Sequence, residues 1–464
     1  MATNFSNIDN IAMGKLLDII FTKGVRDQLP QNFAEFDLVK TLRVPANTER
    51  EIRHKIQTGR GPARVQAASP GVANANFPAA QAAVIQEITT KMKQYEATTA
   101  ISAELFERLR GTSAKAADEL GLEMDATMTD IKRRLAIDFY GDGSGVVVRL
   151  NGGGVETKDG SNVQYVTCTA QKQGVVATFK SPGSITFLEI GDLLLGTAGA
   201  GSEITNVGTN FYAWEVVSVD IEAGTFVVKP VTATGALVAD CTDSNLDDGV
   251  CLVRVGDDNK MAAVNSVADW AVASNYMLGL ESLTADDGRT VAGIAMSGVF
   301  AGSRYNANGG LIDVSMFQKA VSKAKRRVGA SGHKWDSGLM SYASFDALVD
   351  SREADRRFVS LDDTVRGGKK FAYQHGNDAI EFKVSEFCPE NRIYILPTGG
   401  KEGKALGLHL RDAEHVKGPN GEPWHLNVNS SGFIKQFIAF HMMFAQMVVY
   451  QPAACAVIEG HVNA

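Results

Sequence analysis

The sequence predicts an α+β fold, and three observations carry that prediction. Leu120, Met124, Met128, Ile131, Leu135 and Phe139 recur at spacings of 4, 4, 3, 4 and 4, which keeps them on one face of an α-helix. Between 146 and 260 the pattern changes to short β-rich runs separated by turn clusters such as Gly152–Gly154 and Glu222–Gly224. The chain then returns to helix at 313–328 and ends in strand-like runs of aromatic and β-branched residues over Phe433–Tyr450. Glycine outnumbers proline 46 to 12, so turns are plentiful and rigid kinks few, as a large β content requires.

Taken in order, residues 1–42 carry short helical signals: Ile8, Ile11, Leu16, Leu17, Ile19 and Ile20 recur at helical spacing until Pro30 stops the pattern. Residues 43–85 differ, because alanine, proline, glycine and asparagine dominate their second half and leave too little apolar material for a core. A structureless loop this long is uncommon inside a compact domain. The segment is therefore either disordered or an arm that gains its order by lying on a neighbour. From Ser102 the pattern turns helical, with Leu105 and Leu109 leading into the stripe above, and the run Tyr140–Gly145 stops it. This is the longest helix expected.

The β-rich runs that follow are Val146–Leu150, Val163–Cys168, Ile185–Ile190, Trp214–Val219, Thr225–Val228 and Cys251–Val255. Residues 140–260 hold 15 Asp and Glu against 7 Lys and Arg. They predict a small acidic β-barrel or sandwich, inserted as a self-contained module. Beyond it, Ser315 with Gln318 predicts a capping box, Met316, Phe317, Ala320, Val321, Ala324 and Val328 form a buried stripe, and Gly329 ends the helix. A second helix starts at Ser344, with Phe345, Leu348 and Val349 inside, followed by strands Ile380–Val384 and Arg392–Leu396.

Composition narrows the function. The chain has 464 residues, 44% of them hydrophobic and 21% charged, which excludes a disordered chain and gives a prior of about three domains. A net charge of −7 argues against a protein dedicated to reading duplex DNA. Cys168, Cys241, Cys251, Cys388 and Cys455 are too few and scattered for a disulfide framework, and read as small buried apolar residues. The start MATNFSNIDN has no basic region followed by an apolar one, so the expectation is a chain made and kept in a cytoplasm unless something packages it. Lys435, Gln436, His441 and Gln446 interrupt the most apolar stretch, where a membrane span needs ~18–20 nearly unbroken apolar residues.

No motif supplies catalysis. Gly141, Gly143 and Gly145 close a helix and open a strand, whereas a phosphate loop follows a strand and opens a helix. Asp243, Asn245 and Asp247 have the look of a calcium loop, but the glycine falls one place late at Gly249 and Arg254 stands where a bidentate Glu is needed. The eight histidines have no metal-ligand spacing with one another or with cysteine. These readings predict no catalytic residue, cofactor or metal. One basic cluster stands out: Arg43, Arg50, Arg53, Lys55, Arg60 and Arg64 face only Glu49 and Glu51 over the same stretch. It reads either as a solvated loop or as an arm whose positive charge meets an acidic neighbour.

The order of these parts resembles the major capsid protein of tailed bacteriophages, the Hong-Kong-97-like fold shared with encapsulins. Several phrases carry the resemblance along nearly the whole chain. They are Tyr140–Gly145 after the long helix, Met277–Leu283, Ser351–Phe358 with its following glycine-bearing loop, Arg392–Leu396, and the ending Val448–Ala454 with Val457–Gly460. The resemblance implies an N-terminal arm at 1–42, an extended E-loop at 43–97, and a peripheral domain with spine helix at 98–145. It further implies an inserted β-barrel domain at 146–262, a peripheral connection at 263–299, an axial domain at 300–425, and a C-terminal peripheral strand and tail at 426–464.

In function the resemblance implies a non-enzymatic, self-assembling head shell of pentamers and hexamers that encloses double-stranded DNA without reading it. It implies a portal, possible scaffolding or decoration proteins, no membrane, a virion location and assembly in the host cytoplasm. The six basic residues become contacts of the extended loop with neighbouring subunits. Two other readings stand beside it. An encapsulin-like nanocompartment would enclose protein cargo, and a multidomain enzyme or carbohydrate-binding protein with a β-barrel module would be a compact soluble species with a concave site.

Overall fold

In the computed structural model the described residues are 35–43, 51–59, 84–102, 131–143, 145–151, 154–158, 164–170, 184–197, 212–232, 246, 251–254, 277–291, 293–329, 333–351, 372–376, 378–400, 404–415, 424–428 and 434–462. Most of them fall into three sheets and the helices packed on them.

The first sheet is built around one 16-residue strand, Ile434–Val449. Its aromatic, methionine and β-branched residues suit a pleated surface. Lys93–Ser102 pairs antiparallel along one edge, from Lys93 opposite Ala445 to Ser102 opposite Gln436. The other edge is shared: Leu406–His415 covers 441–449 and Trp424–Val428 covers 434–439. Lys40–Arg43 adds a parallel strand outside Leu406–His415. The strand running through Ser102 corrects the expectation that helix begins there. Helix is described over 131–140, and residues 103–130 of the expected stripe lie outside the described residues.

The insertion closes on itself. Val146–Arg149 and Val155–Lys158 are two short strands, the first and second halves of the closing edge. The first half pairs with Cys251–Arg254 and the second with Gln164–Thr169. Leu150 bridges Ala170 where the halves meet, and Asn151 donates to the Thr169 carbonyl at 2.9 Å. With Leu193–Thr197, Tyr212–Asp220 and Thr225–Thr232 completing the circuit, the sheet is a barrel. Alternate residues fill it: Val166 and Cys168, Trp214 and Val216, Phe226 and Val228 are all buried. A Cβ on Gly154 would sit 2.4 Å from the Val166 side chain, so glycine just before the second half lets that half reach its partner.

Two details of the insertion differ from expectation. Ile185–Phe187 is a 3₁₀ turn rather than a strand, because the Ser184 hydroxyl accepts from the Thr186 N–H and turns the chain there. The buried residues of the barrel also join those of helix 131–140 and the third sheet in one continuous apolar cluster. Phe187 lies in that cluster and Arg133 reaches Glu189 at 2.6 Å, so the barrel is docked, and the expectation of a separate core is corrected.

The third sheet has six strands in the order Ser303–Asn306, Ala456–Glu459, Arg392–Gly400, His333–Met340, Asp378–Val384, Ala372–His375. Helix Val314–Val328 packs on it through Met316, Phe317, Ala320, Val321 and Ala324, all buried. Its cap is Asp313, whose carboxylate accepts from the Ser315 N–H at 3.2 Å, and not the expected Ser315–Gln318 box. Gly329 ends it with φ 71°, a conformation that only glycine adopts without strain. The second helix runs Tyr342–Ser351.

Sheet membership crosses two of the expected boundaries. Leu406–His415, grouped by sequence with 300–425, pairs in the first sheet, while Ala456–Glu459, grouped with 426–464, lies inside the third. Cys168, Cys388 and Cys455 are free and buried, and burial raises each thiol, Cys168 and Cys455 to about 12. They act as apolar filler, as the sequence suggested.

Candidate assembly surface and the buried ionic hub

Glu51–Gly59 and Val84–Lys91 form a two-stranded antiparallel ribbon. Register fixes which side chains share a face. Ile52 stands opposite Thr90, Arg53 opposite Thr89, and Lys55 opposite Glu87. Ile52, Ile88 and Thr90 are buried, whereas Arg53, Lys55, Glu87, Thr89 and Lys91 are exposed. The alternation therefore turns an apolar face inward and a charged face outward. Among described side chains that outward face carries three cations and one carboxylate. Burial lowers the Lys93 ammonium at the ribbon's root, and repulsion from Lys91 adds to the shift.

The root is held firmly. Ile52 packs with Met92, Phe444 and Val448, and Ile88 joins the main apolar cluster. The returning strand passes through Met92 directly into Lys93–Ser102, so ribbon and first sheet share one nearly continuous strand. The Tyr95 hydroxyl donates to Asp138 at 2.6 Å and ties that strand to helix 131–140. The ribbon's own outer edges pair with nothing among the described residues.

Of the six basic residues singled out by sequence, Arg53 and Lys55 stand together on this face. Arg43 ends the strand Lys40–Arg43 in the first sheet, its backbone opposite Leu410. Arg50, Arg60 and Arg64 lie outside the described residues.

Sequence reasoning missed a second feature, a buried ionic hub. Arg304 donates to Glu281 and Glu459, both at 3.0 Å, and to the backbone carbonyls of Thr284 (2.9 Å) and Glu281 (2.7 Å). Arg392 pairs with the other oxygen of Glu281. Two arginines against two glutamates leave the hub neutral, the condition under which buried charge is tolerated. It joins four segments distant in sequence. The available signal was a charged residue inside each of several otherwise apolar runs: Arg392 before Ile393–Leu396, Glu459 after Val457–Ile458, and Glu281 within Met277–Leu283.

Two further clusters lock the same region. Glu35 is buried and accepts from the Tyr140 hydroxyl at 3.0 Å and from Ser385. Burial, followed by the Glu35 charge, raises the Tyr140 phenol well above its ordinary value, so it stays a donor. Ser344 and His461 meet at 2.9 Å, which has the form of a nucleophile and its base. Ser344 however donates its proton to the Glu390 carbonyl at 2.6 Å, and both groups are buried. The pair fastens the chain just beyond the last strand.

Segments 140–143 and 277–283 also meet. A Cβ on Gly279 would lie 2.3 Å from the Asp138 carbonyl and 2.5 Å from that of Gly141, so only glycine fits against the helix end. The Ser282 hydroxyl donates to the Asp142 carbonyl. The two phrases thus form one junction.

No family model matches the chain, and no curated protein matches it. Solved structures do. The chain is similar to a chain of the cyanophage A-1(L) capsid asymmetric unit, at 10% identity and a TM-score of 0.44 over 94% of this chain and 95% of that one. It is similar to the capsid of a native GTA particle, at 10% identity and a TM-score of 0.42 over 92% and 89%. It is also similar to a virus-like particle from Pyrococcus furiosus, at 8% identity and a TM-score of 0.34 over 96% of each chain.

Proposed function

We propose that the chain is the major capsid protein of a tailed bacteriophage, a structural subunit whose copies close into an icosahedral head around double-stranded DNA. The ribbon carries this reading. Its inward face and root belong to the subunit, while its two outer strand edges stand open among the described residues and its outward face is net positive. Open edges beside a net positive face are what a repeating head-to-tail contact between identical subunits would use. The order of parts from arm to closing strand supports the same reading. In it, Arg43, Arg50, Arg53, Lys55, Arg60 and Arg64 serve contacts between subunits. A portal and scaffolding or decoration proteins are its partners, and the virion, assembled in the host cytoplasm, is its location.

Negative-stain microscopy of the purified protein tests the proposal. Rings of five or six subunits, or closed shells, are expected. A stable monomer under all conditions, without aggregation, would refute it. Shells that carry protein cargo and no nucleic acid would instead mark an encapsulin-like compartment.

A further inference from the structure

Helix Val314–Val328 contains five cations and no carboxylate, in a chain whose net charge is −7. Its buried stripe fixes the opposite face toward solvent. Lys319 and Arg326 stand at the centre of that face, both exposed, with Ser315, Gln318 and Ser322 around them. The other three cations have work elsewhere. Lys325 pairs with Asp378 at 2.7 Å, Lys323 donates to the Arg304 carbonyl, and Arg327 donates to the carbonyls of Ala301 and Gly302. Lys319 is steadied over the Tyr305 ring at 5.7 Å, and Arg326 donates to the Ser322 carbonyl within its own helix. Among the described residues, no carboxylate forms a salt bridge with Lys319 or Arg326.

Last-turn cations complement a helix C-terminus, which accounts in part for Arg326. It does not account for Lys319, two turns earlier. Seven residues separate the two, or ~10 Å along the axis. That is about three steps of one DNA strand at ~3.4 Å each. The face also offers hydroxyls and an amide, and no exposed aromatic or aliphatic side chain. Protein interfaces centre on apolar and aromatic anchors, whereas phosphate backbones are held by Lys, Arg, Ser and Gln.

We propose that the Ser315, Lys319, Ser322 and Arg326 face of this helix binds the phosphate backbone of nucleic acid without reading its sequence. The proposal rests on the capsid reading for its occasion, since it names the surface that would meet the enclosed DNA. The rest of the chain is net acidic, and the other cationic face, on the ribbon, is assigned to contacts between subunits.

The test is fluorescence anisotropy of a labelled random-sequence DNA duplex titrated with the full chain between 50 and 200 mM salt. Lys319→Ala with Arg326→Ala should weaken binding about tenfold at the low-salt end. The same change should flatten the slope of log affinity against log salt by roughly 1.8, two phosphates at ~0.9 each. Lys319→Arg with Arg326→Lys should restore both. A thermal melt checks folding, and if the alanine pair lowers it, Lys319→Gln with Arg326→Gln replaces it. Wild-type protein that does not bind the duplex at 50 mM salt would overturn the proposal, as would an alanine pair with unchanged affinity and slope. An alanine pair that binds DNA normally but no longer assembles would overturn it too, and would assign the face to a second copy. Failure of wild-type protein to assemble would count against the capsid reading instead, whatever the DNA result.

Discussion

The ribbon strand Glu51–Gly59 has nine residues and one partner, whereas the closing strand Ala456–Glu459 has four residues and two. The shorter strand is the more deeply fixed. It lies between Ser303–Asn306 and Arg392–Gly400, buries Ala456, Val457 and Ile458 completely, and delivers Glu459 to Arg304. Among the described residues, the longer strand is bound at its root and on one face. Strand length does not decide which segment belongs to the subunit. Satisfaction of both edges and of buried charge does. The closing strand completes one molecule, and in the proposed reading the ribbon is completed by another.

If that contrast is right, damage near the closing strand should appear as lost subunit stability, and damage on the ribbon face should not. The largest effect is expected from Arg304→Ala. It removes four hydrogen bonds and leaves Glu459 and one oxygen of Glu281 without their guanidinium. Breaking a buried pair costs about 3–5 kcal/mol, read as a shift in the urea midpoint. A loss under ~1 kcal/mol, the size of an exposed pair, would show that the hub does not hold the sheet.

Acid should act on the same side of the contrast. Burial lowers His461 to about 4, with a hydrogen bond to the Glu390 backbone acting partly in the opposite direction. The folded protein therefore holds this imidazole neutral below its ordinary value of 6.5. Its contribution is complete above pH 6.5 and is lost as pH falls through 4. The full span is on the order of 3 kcal/mol. Urea melts at about pH 7, above that window, and at about pH 4.5, near its lower end, should differ less for His461→Gln than for wild type. Equal pH dependence in the two proteins would remove His461 from the account.

Gly279→Ala sharpens the comparison at the junction of the long helix. The added methyl meets three backbone carbonyls that cannot rotate away, and overpacking of this kind costs about 1–3 kcal/mol. A thermal melt of the variant measures it, and an unchanged melt would mean that segment 277–283 shifts freely against the helix end.

Legibility in the sequence followed the same division. Elements defined by local periodicity were readable, such as helix Val314–Val328 from its stripe and Gly329, and the hairpin Tyr212–Asp220 with Thr225–Thr232 from its Glu222–Gly224 turn. The outward placement of Arg53 and Lys55 was implicit in their i, i+2 spacing along a strand. What was not readable is made by pairing over long distance. Ala456–Glu459 reads as a terminal run because nothing local says that its partners are 303–306 and 392–395. The ionic hub was hidden for the same reason, its four charges being neighbours only after the sheet forms. Ser102 was misread as the start of helix because the partner of Lys93–Ser102, Ile434–Val449, lies over 300 residues away and carries strand up to the edge of a locally helical stripe.

The central claim is that the ribbon's charged face works between subunits and not within one. Arg53→Glu with Lys55→Glu tests it most directly, read as particle yield on a sucrose gradient beside a thermal melt of the unassembled subunit. Both side chains are exposed, and exposed ion pairs contribute only ~0–1 kcal/mol each. The melt should therefore stay near that of wild type. Yield should fall, because the contact repeats at every subunit of a shell, and high salt should weaken wild-type assembly in the same direction. A melt that drops sharply while particle yield is unchanged would contradict the account and make the ribbon an internal element of a single subunit.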